Sequence, residues 1–161
     1  MEGMGSMSSH KDTAGVVARP PIIYLAALAV GLLAHRVRPV RFLPRTLRRI
    51  LGWPLVGVGS FLALWSVQTL SQAGVNADPH QPTSTIVVEG PYRWTRNPIY
   101  LGFTLIYLGI TALTNSLWSL LLLPGTLLVM QRGVINREER YLEHKFGNTY
   151  RMYQARVPRW L

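Results

Sequence analysis

From Asn97 to Gln131 the chain runs for 35 residues without a charged side chain. As one helix this interval would measure about 52 Å, against a bilayer hydrocarbon core of about 30 Å, so it has to fold back on itself. Thr114-Asn115-Ser116 is the polar cluster inside it. That cluster predicts a helical hairpin, with one arm over 98–113, a tight turn, and a second arm over 117–135 kinked at Pro124-Gly125. The hairpin returns Arg137 to the membrane face that Asn97 left. Residues before and after the interval thereby become neighbours.

A second charge-free stretch, Leu51 to Ala77, holds a span over 53–71, and Pro20 to His35 extends through Val37 to a span over 20–37. Between them, RVRPVRFLPRTLRRI carries six arginines from Arg36 to Arg49, interleaved with apolar residues as in an interfacial segment lying on lipid phosphates. The first apolar run does not read as a cleaved signal peptide, because it ends in His35-Arg36-Val37-Arg38 rather than at a small-residue site. Residues 1–19, polar and rich in Gly and Ser, read as a disordered tail ahead of one membrane domain over 20–161. Gln72 to Asn97 is a long polar connection with a short β-like run, Ser84 to Val88. Beyond the hairpin, Asn136 and Glu139 have capping-box spacing, and Leu142, Phe146, Tyr150 and Tyr153 follow at helical spacing. They predict an amphipathic surface helix over 137–154. The fold class is therefore all-α: a multi-span membrane protein of about four transmembrane helices with a C-terminal amphipathic helix.

A formal charge of +10 suits nucleic acid, an anionic membrane surface or an anionic ligand. The basic run between the first two spans lacks aromatic interleaving, which argues against nucleic acid and for the lipid bilayer as partner. There are no cysteines, so thiolate chemistry is excluded, and His10, His35, His80 and His144 show no ligand spacing. No metal is expected. Four spans place both termini and the 72–97 connection on one side, with eleven basic residues against six on the other. The side bearing Asn97 is then the cytoplasmic one.

On that side lies EGPYRWTRNPIYLG, Glu89 to Gly102. Asn97-Pro98 is a helix start in which Asn caps and Pro takes the first helical position, leaving N–H groups that attract an anion such as a carboxylate. The same residues also read as a plain capped helix entering the bilayer, with Tyr92, Trp94 and Tyr100 as an aromatic belt and Arg93 and Arg96 as phosphate anchors. Glu138-Glu139 is more informative, since adjacent carboxylates at a membrane surface repel each other unless a cation relieves them. Each also has a structural reading, Glu139 closing a capping box and Glu138 pairing with a nearby arginine. Together the helix start and the Glu pair fit a zwitterionic, positively charged cofactor.

The pattern Gly90-Pro-Tyr-x4-Asn-Pro-x-Tyr-x-Gly102, a hairpin, then Glu138-Glu139-x2-Leu142-x3-Phe146-Gly147-x2-Tyr150-x2-Tyr153 and Val157-Pro158-Arg159 resembles the integral-membrane methyltransferases of the isoprenylcysteine carboxyl methyltransferase and phospholipid N-methyltransferase type. The resemblance covers the chain from about Ser84 onward. It implies S-adenosylmethionine as cofactor and a lipidic or small apolar methyl acceptor. Carried over, the cofactor residues are Ser84, Thr85, Ile86, Val87, Tyr92, Asn97, Pro98, Ile99, Tyr100 and Glu138, with Glu139 added from the phospholipid branch. Asn97 stands where the family has His, which removes a titratable ring. Val134 stands where the carboxyl methyltransferases have a substrate-side Arg, leaving Arg132 and Arg137 as the substrate candidates. His144 is near enough to take a proton but reads as a surface residue, so no catalytic residue is assigned. Two other classes stay open: a non-catalytic membrane scaffold, and a sterol-reductase-like enzyme with a nicotinamide cofactor. The Glu pair suits a sulfonium better than a pyrophosphate.

Overall fold

The structure is a computed structural model and describes residues 13–161. Six α-helices follow in order: α1 (Pro20–Val37), α2 (Arg45–Gln72), α3 (Pro98–Thr114), α4 (Leu117–Met130), α5 (Asn136–Phe146) and α6 (Asn148–Arg156). A 3-10 turn, Gly90–Arg93, precedes α3, and a π-turn, Gln131–Ile135, joins α4 to α5. No strand forms among the described residues, and the β-like run Ser84 to Val88 is irregular because nothing pairs with it.

α1, α2 and the unbroken rod Leu117–Phe146 are long and apolar enough to cross a membrane, while α3 is a shorter apolar helix of 17 residues. Three boundaries differ from expectation. α2 begins at Arg45 rather than near Trp53, because arginine is a good helix former and Pro44 marks the turn before it. α4 continues through Pro124 without a break and ends at Met130, where the π-turn takes over before the expected end at 135. The surface helix divides at Gly147, whose φ of 54° suits glycine and ends α5.

The expected capping box does not form. Asn136 is already inside the rod, with φ −64° and ψ −27°, so no free helix start exists there to be capped. Its Oδ1 accepts from Gln131 Nε2 at 3.3 Å.

Packing explains the layout. α2 and α3 run antiparallel in close contact, Gly59 facing Gly102 and Gly52 facing Gly109. A Cβ built on Gly59 would lie 2.7 Å from the Gly102 carbonyl oxygen, so the backbones touch where a side chain cannot fit. The two arms of the hairpin touch each other little, because α1 packs against both. Tyr24 of α1 shares a hydrogen bond with Thr104 of α3 over 2.8 Å, and Gly31 of α1 lies directly against Ser119 of α4.

At the turn of the hairpin, Asn115 adopts the left-handed conformation (φ 55°) that asparagine tolerates. Its Oδ1 accepts from the N–H groups of Phe42 and Leu43, and its Nδ2 donates to Leu43 O. The 38–44 connection and the hairpin turn are thereby tied at one end of the bundle. The 3-10 turn, the start of α3, α5 and α6 gather at the other.

Most of the expected tail, residues 1–12, lies outside the described residues. Of the rest, Val16 is buried, the Val17 N–H donates to Gly133 O at 3.2 Å, and Arg19 pairs with Asp78 at 3.2 Å.

Candidate functional site

A cleft opens where the 75–87 connection, the 3-10 turn, the start of α3, α5 and α6 meet, with about 840 Å³ of empty space partly continuous with solvent. Of the residues selected from the sequence, Thr85, Ile86, Val87, Tyr92, Asn97, Pro98, Ile99, Tyr100 and Glu138 line it. The others do not. Ser84 turns away, its Oγ 3.5 Å from Gly74 O. Arg132 is exposed elsewhere. Arg137 is also exposed, and its guanidinium donates to Gly15 O at 2.7 Å, holding the N-terminal segment. His144 is exposed and does not line the cleft.

The Glu pair is split by the helix that carries it. Glu138 faces the cleft, and its Oε1 accepts from the Tyr100 hydroxyl at 2.6 Å. It lies in the polar helix α5, three residues past the π-turn, and burial pushes its carboxyl up to about 7; Glu139 adds to that rise and the Tyr100 hydrogen bond opposes it. Glu139 points behind the cleft, 8% exposed. There Arg96 NH1 approaches its Oε1 at 3.1 Å, and Arg159 binds it through Nε and NH2.

The C-terminal segment completes this arrangement. Pro158 O accepts from the Arg96 N–H at 3.0 Å, and Arg159 O accepts from Thr95 Oγ1 and Asn97 Nδ2 at 3.0 and 2.9 Å. Asn97 occupies the N-cap position, but its side chain makes no cap hydrogen bond. The expectation that Asn97 caps α3 is corrected here: its amide is used to hold the C-terminal segment, whose carbonyl no sequence pattern announces.

Several lining residues were not anticipated. Tyr141, Tyr150 and Tyr153 join Tyr92 and Tyr100, so five phenol rings face the cleft. Tyr153 donates to Tyr92 O at 2.8 Å, joining α6 to the 3-10 turn. Burial, then the nearby Glu139, raises the Tyr150 phenol to about 12, and burial also raises Tyr92 and Tyr153. All three stay neutral at physiological pH. Their sequence signal was the helical spacing of Tyr150 and Tyr153, which reads equally as an apolar stripe. Arg96 also lines the cleft, and its Nε is buried without a hydrogen-bond partner. Among the described residues no cluster of His, Asp and Glu is placed to hold a metal.

Chemically, the cleft offers a carboxylate among aromatic faces, together with a guanidinium and a helix N-terminus in its lining. Aromatic rings and a carboxylate attract a cation; the free N–H groups of the first turn of α3 and Arg96 attract an anion. The cleft therefore suits a ligand carrying both charges.

A sequence model of the family described as phospholipid methyltransferase matches residues 47–149. Over 73 residues the chain is 36% identical to a protein-S-isoprenylcysteine O-methyltransferase of Schizosaccharomyces pombe, a match covering 45% of this chain and 31% of that one. Over 68 residues it is 46% identical to an uncharacterized protein of Haemophilus influenzae, covering 42% of this chain and 82% of the other. The chain thus spans less than a third of the isoprenylcysteine relative. No solved structure matches it. The family match takes in nearly all of α2, the glycine-packed α3, the hairpin, Glu138 of the cleft wall and Glu139 behind it, and on it the chain belongs to the phospholipid methyltransferase family.

Proposed function

We propose that this chain is an integral-membrane methyltransferase that uses S-adenosylmethionine and methylates a lipidic or small apolar acceptor. The observation that carries this reading is Glu138, a carboxylate at the cleft wall, with Tyr100 bonded to it and four further tyrosines around the same space. Such a wall suits a sulfonium. In the same cleft, the unpartnered Arg96 Nε and the free N–H groups of the first turn of α3 suit the carboxylate of the same cofactor. Thr85, Ile86 and Val87 supply an irregular, partly apolar edge against which a flat ring can lie.

When bound, S-adenosylmethionine supplies an activated methyl group that leaves a neutral thioether on transfer. The chain's own residues then have three tasks. Glu138, fixed by Tyr100, orients the cationic centre, while Glu139, Arg96 and Arg159 hold the floor under it. The tyrosine rings limit water around the reacting atoms. An apolar groove between α3 and α4, lined by Leu101, Thr104, Leu127, Leu128 and Trp160, opens beside the first turn of α3 and offers an approach for an acceptor from the bilayer. Rate acceleration then rests on positioning and desolvation. The eleven basic residues on the cleft side favour a cytoplasmic site, where the cofactor is made available.

Equilibrium binding to the purified protein tests the reading. S-adenosylmethionine should bind and NADPH should not. Binding of NADPH in preference would replace the methyltransferase with a reductase, and binding of neither would leave a scaffold.

A further inference from the structure

The bundle end opposite the cleft carries six arginines, Arg36 to Arg49, and no acidic side chain occurs anywhere from Thr13 to Ala77. None of the six pairs with a carboxylate among the described residues. Arg45, Arg48 and Arg49 stand in the first turns of α2, which follows Pro44 with no side-chain cap and no acidic residue. That placement is electrostatically wrong for the chain by itself, since guanidiniums sit at the positive end of the helix dipole where acids are favoured.

A second observation points the same way. Arg48 Nε is buried and has no hydrogen-bond partner. The guanidinium is thus short of one acceptor, which a phosphate oxygen drawn against the side chain can supply.

The platform is also rigid. Besides the three hydrogen bonds to Asn115, the Leu117 N–H donates to Val40 O at 3.2 Å and Trp118 Nε1 donates to Arg38 O at 2.8 Å. The backbone that presents Arg38 and Arg41 is thereby fixed to the hairpin turn, so the guanidiniums start from a held position.

Position selects the anion. The arginines lie where α1 ends and α2 begins, and Ile50, Leu51 and Trp53 are exposed along α2 immediately beyond them. A headgroup phosphate at the arginines has its acyl chains beside those apolar side chains. A soluble anion would leave them unused.

We propose that the first turns of α2, with Arg41 and the tied 38–44 connection, bind the headgroup phosphate of an anionic phospholipid in the leaflet opposite the cleft. This lipid is a partner of the fold and not the methyl acceptor, because the length of α3, 17 residues or about 25 Å, lies between the two ends.

The full-length protein in detergent is titrated with phosphatidylglycerol or phosphatidylcholine, with bound lipid counted by native mass spectrometry and melting followed by tryptophan fluorescence. Phosphatidylglycerol should bind and raise the melting temperature, and phosphatidylcholine should do neither. The Arg45→Gln/Arg49→Gln variant should lose about tenfold in phosphatidylglycerol affinity, as expected for removing charge-assisted contacts. Arg48→Lys keeps the charge but removes Nε; it should also bind less tightly while melting normally without lipid, and it reads the site even where the double variant does not fold. Equal affinity for the two lipids, undiminished affinity in Arg48→Lys, or the same stabilisation by inorganic phosphate alone would overturn the proposal.

Discussion

The Tyr100 hydroxyl donates to Glu138 Oε1 over 2.6 Å, linking the first turn of α3 to α5 across 38 residues of sequence. The bond fixes one carboxylate oxygen of Glu138 at the cleft wall. Glu138→Gln preserves the shape and removes the charge. It should weaken S-adenosylmethionine by about 1.5–3 kcal/mol, the range for hydrogen bonds to charged groups, and weaken S-adenosylhomocysteine, which lacks the sulfonium charge, distinctly less. Isothermal titration of both ligands measures the difference. Equal losses would place Glu138 on a group that the two ligands share.

The elevated carboxyl of Glu138 makes the same preference depend on pH. With its pKa raised to about 7, the free protein holds a proton there below neutrality, and a cation binds only after that proton leaves. Affinity for S-adenosylmethionine should therefore rise with pH up to about 7 and level off above it, by at most about tenfold per unit below the pKa. In Glu138→Gln this rise should vanish. A rise that persists in the variant would assign the titration to another group.

Glu139 has a different task, and the structure reverses what its spacing suggests. Its carboxylate is matched to Arg96 and Arg159 rather than to a helix start, so Glu139→Gln should destabilise the fold. Breaking a buried pair costs about 3–5 kcal/mol when a charge is left alone; the partial exposure of Arg159 (35%) puts this case at the low end. Arg159→Ala should lower the melting temperature similarly, and the double variant should lose less than the sum. Strictly additive losses would mean that the two residues do not act on each other.

The spans, the hairpin and the near-meeting of Asn97 with Glu138 were legible because charge placement along a membrane chain is a strong constraint. Three features were not. The packing of α1 against both hairpin arms rests on small contacts such as Gly31 with Ser119, which leave no periodic mark. The π-turn at Gln131–Ile135 keeps α4 and α5 one rod, so the apparent cap at Asn136 fell inside a helix. Asn97 and Glu139 were assigned local partners, whereas their partners come from Arg159, 62 and 20 residues away. Short-range patterns compete with a C-terminal segment that only folding brings back.

Close backbone packing of α2 on α3 yields a prediction with an internal control. A Cβ on Gly59 would meet Gly102 O at 2.7 Å, whereas one on Gly57 would meet nothing within 4 Å. Gly59→Ala should force the helices apart and cost about 1–3 kcal/mol, the range for overpacking. Gly57→Ala should be neutral or stabilising by up to about 1 kcal/mol, through helix propensity alone. Melting of the two variants side by side decides it, and an equal effect would remove the close approach of α2 and α3 as the cause.

The orientation of the two ends follows from the same helices and can be read in membranes. Ser84 and Thr149 are at the cleft end, whereas Thr46 stands among the arginines at the start of α2. The chain has no cysteine of its own. Single cysteines at these positions therefore report without background to an impermeant thiol reagent. Ser84→Cys and Thr149→Cys should label from one side of sealed vesicles and Thr46→Cys from the other. If the bundle inserts as the basic count of eleven against six directs, the shared side is the cytoplasmic one. Labelling of Ser84→Cys and Thr149→Cys from opposite sides would separate the 75–87 connection from α6 and dissolve the cleft. Labelling of all three from one side would require α2 to re-enter rather than cross, and would put the arginines on the same surface as Glu138.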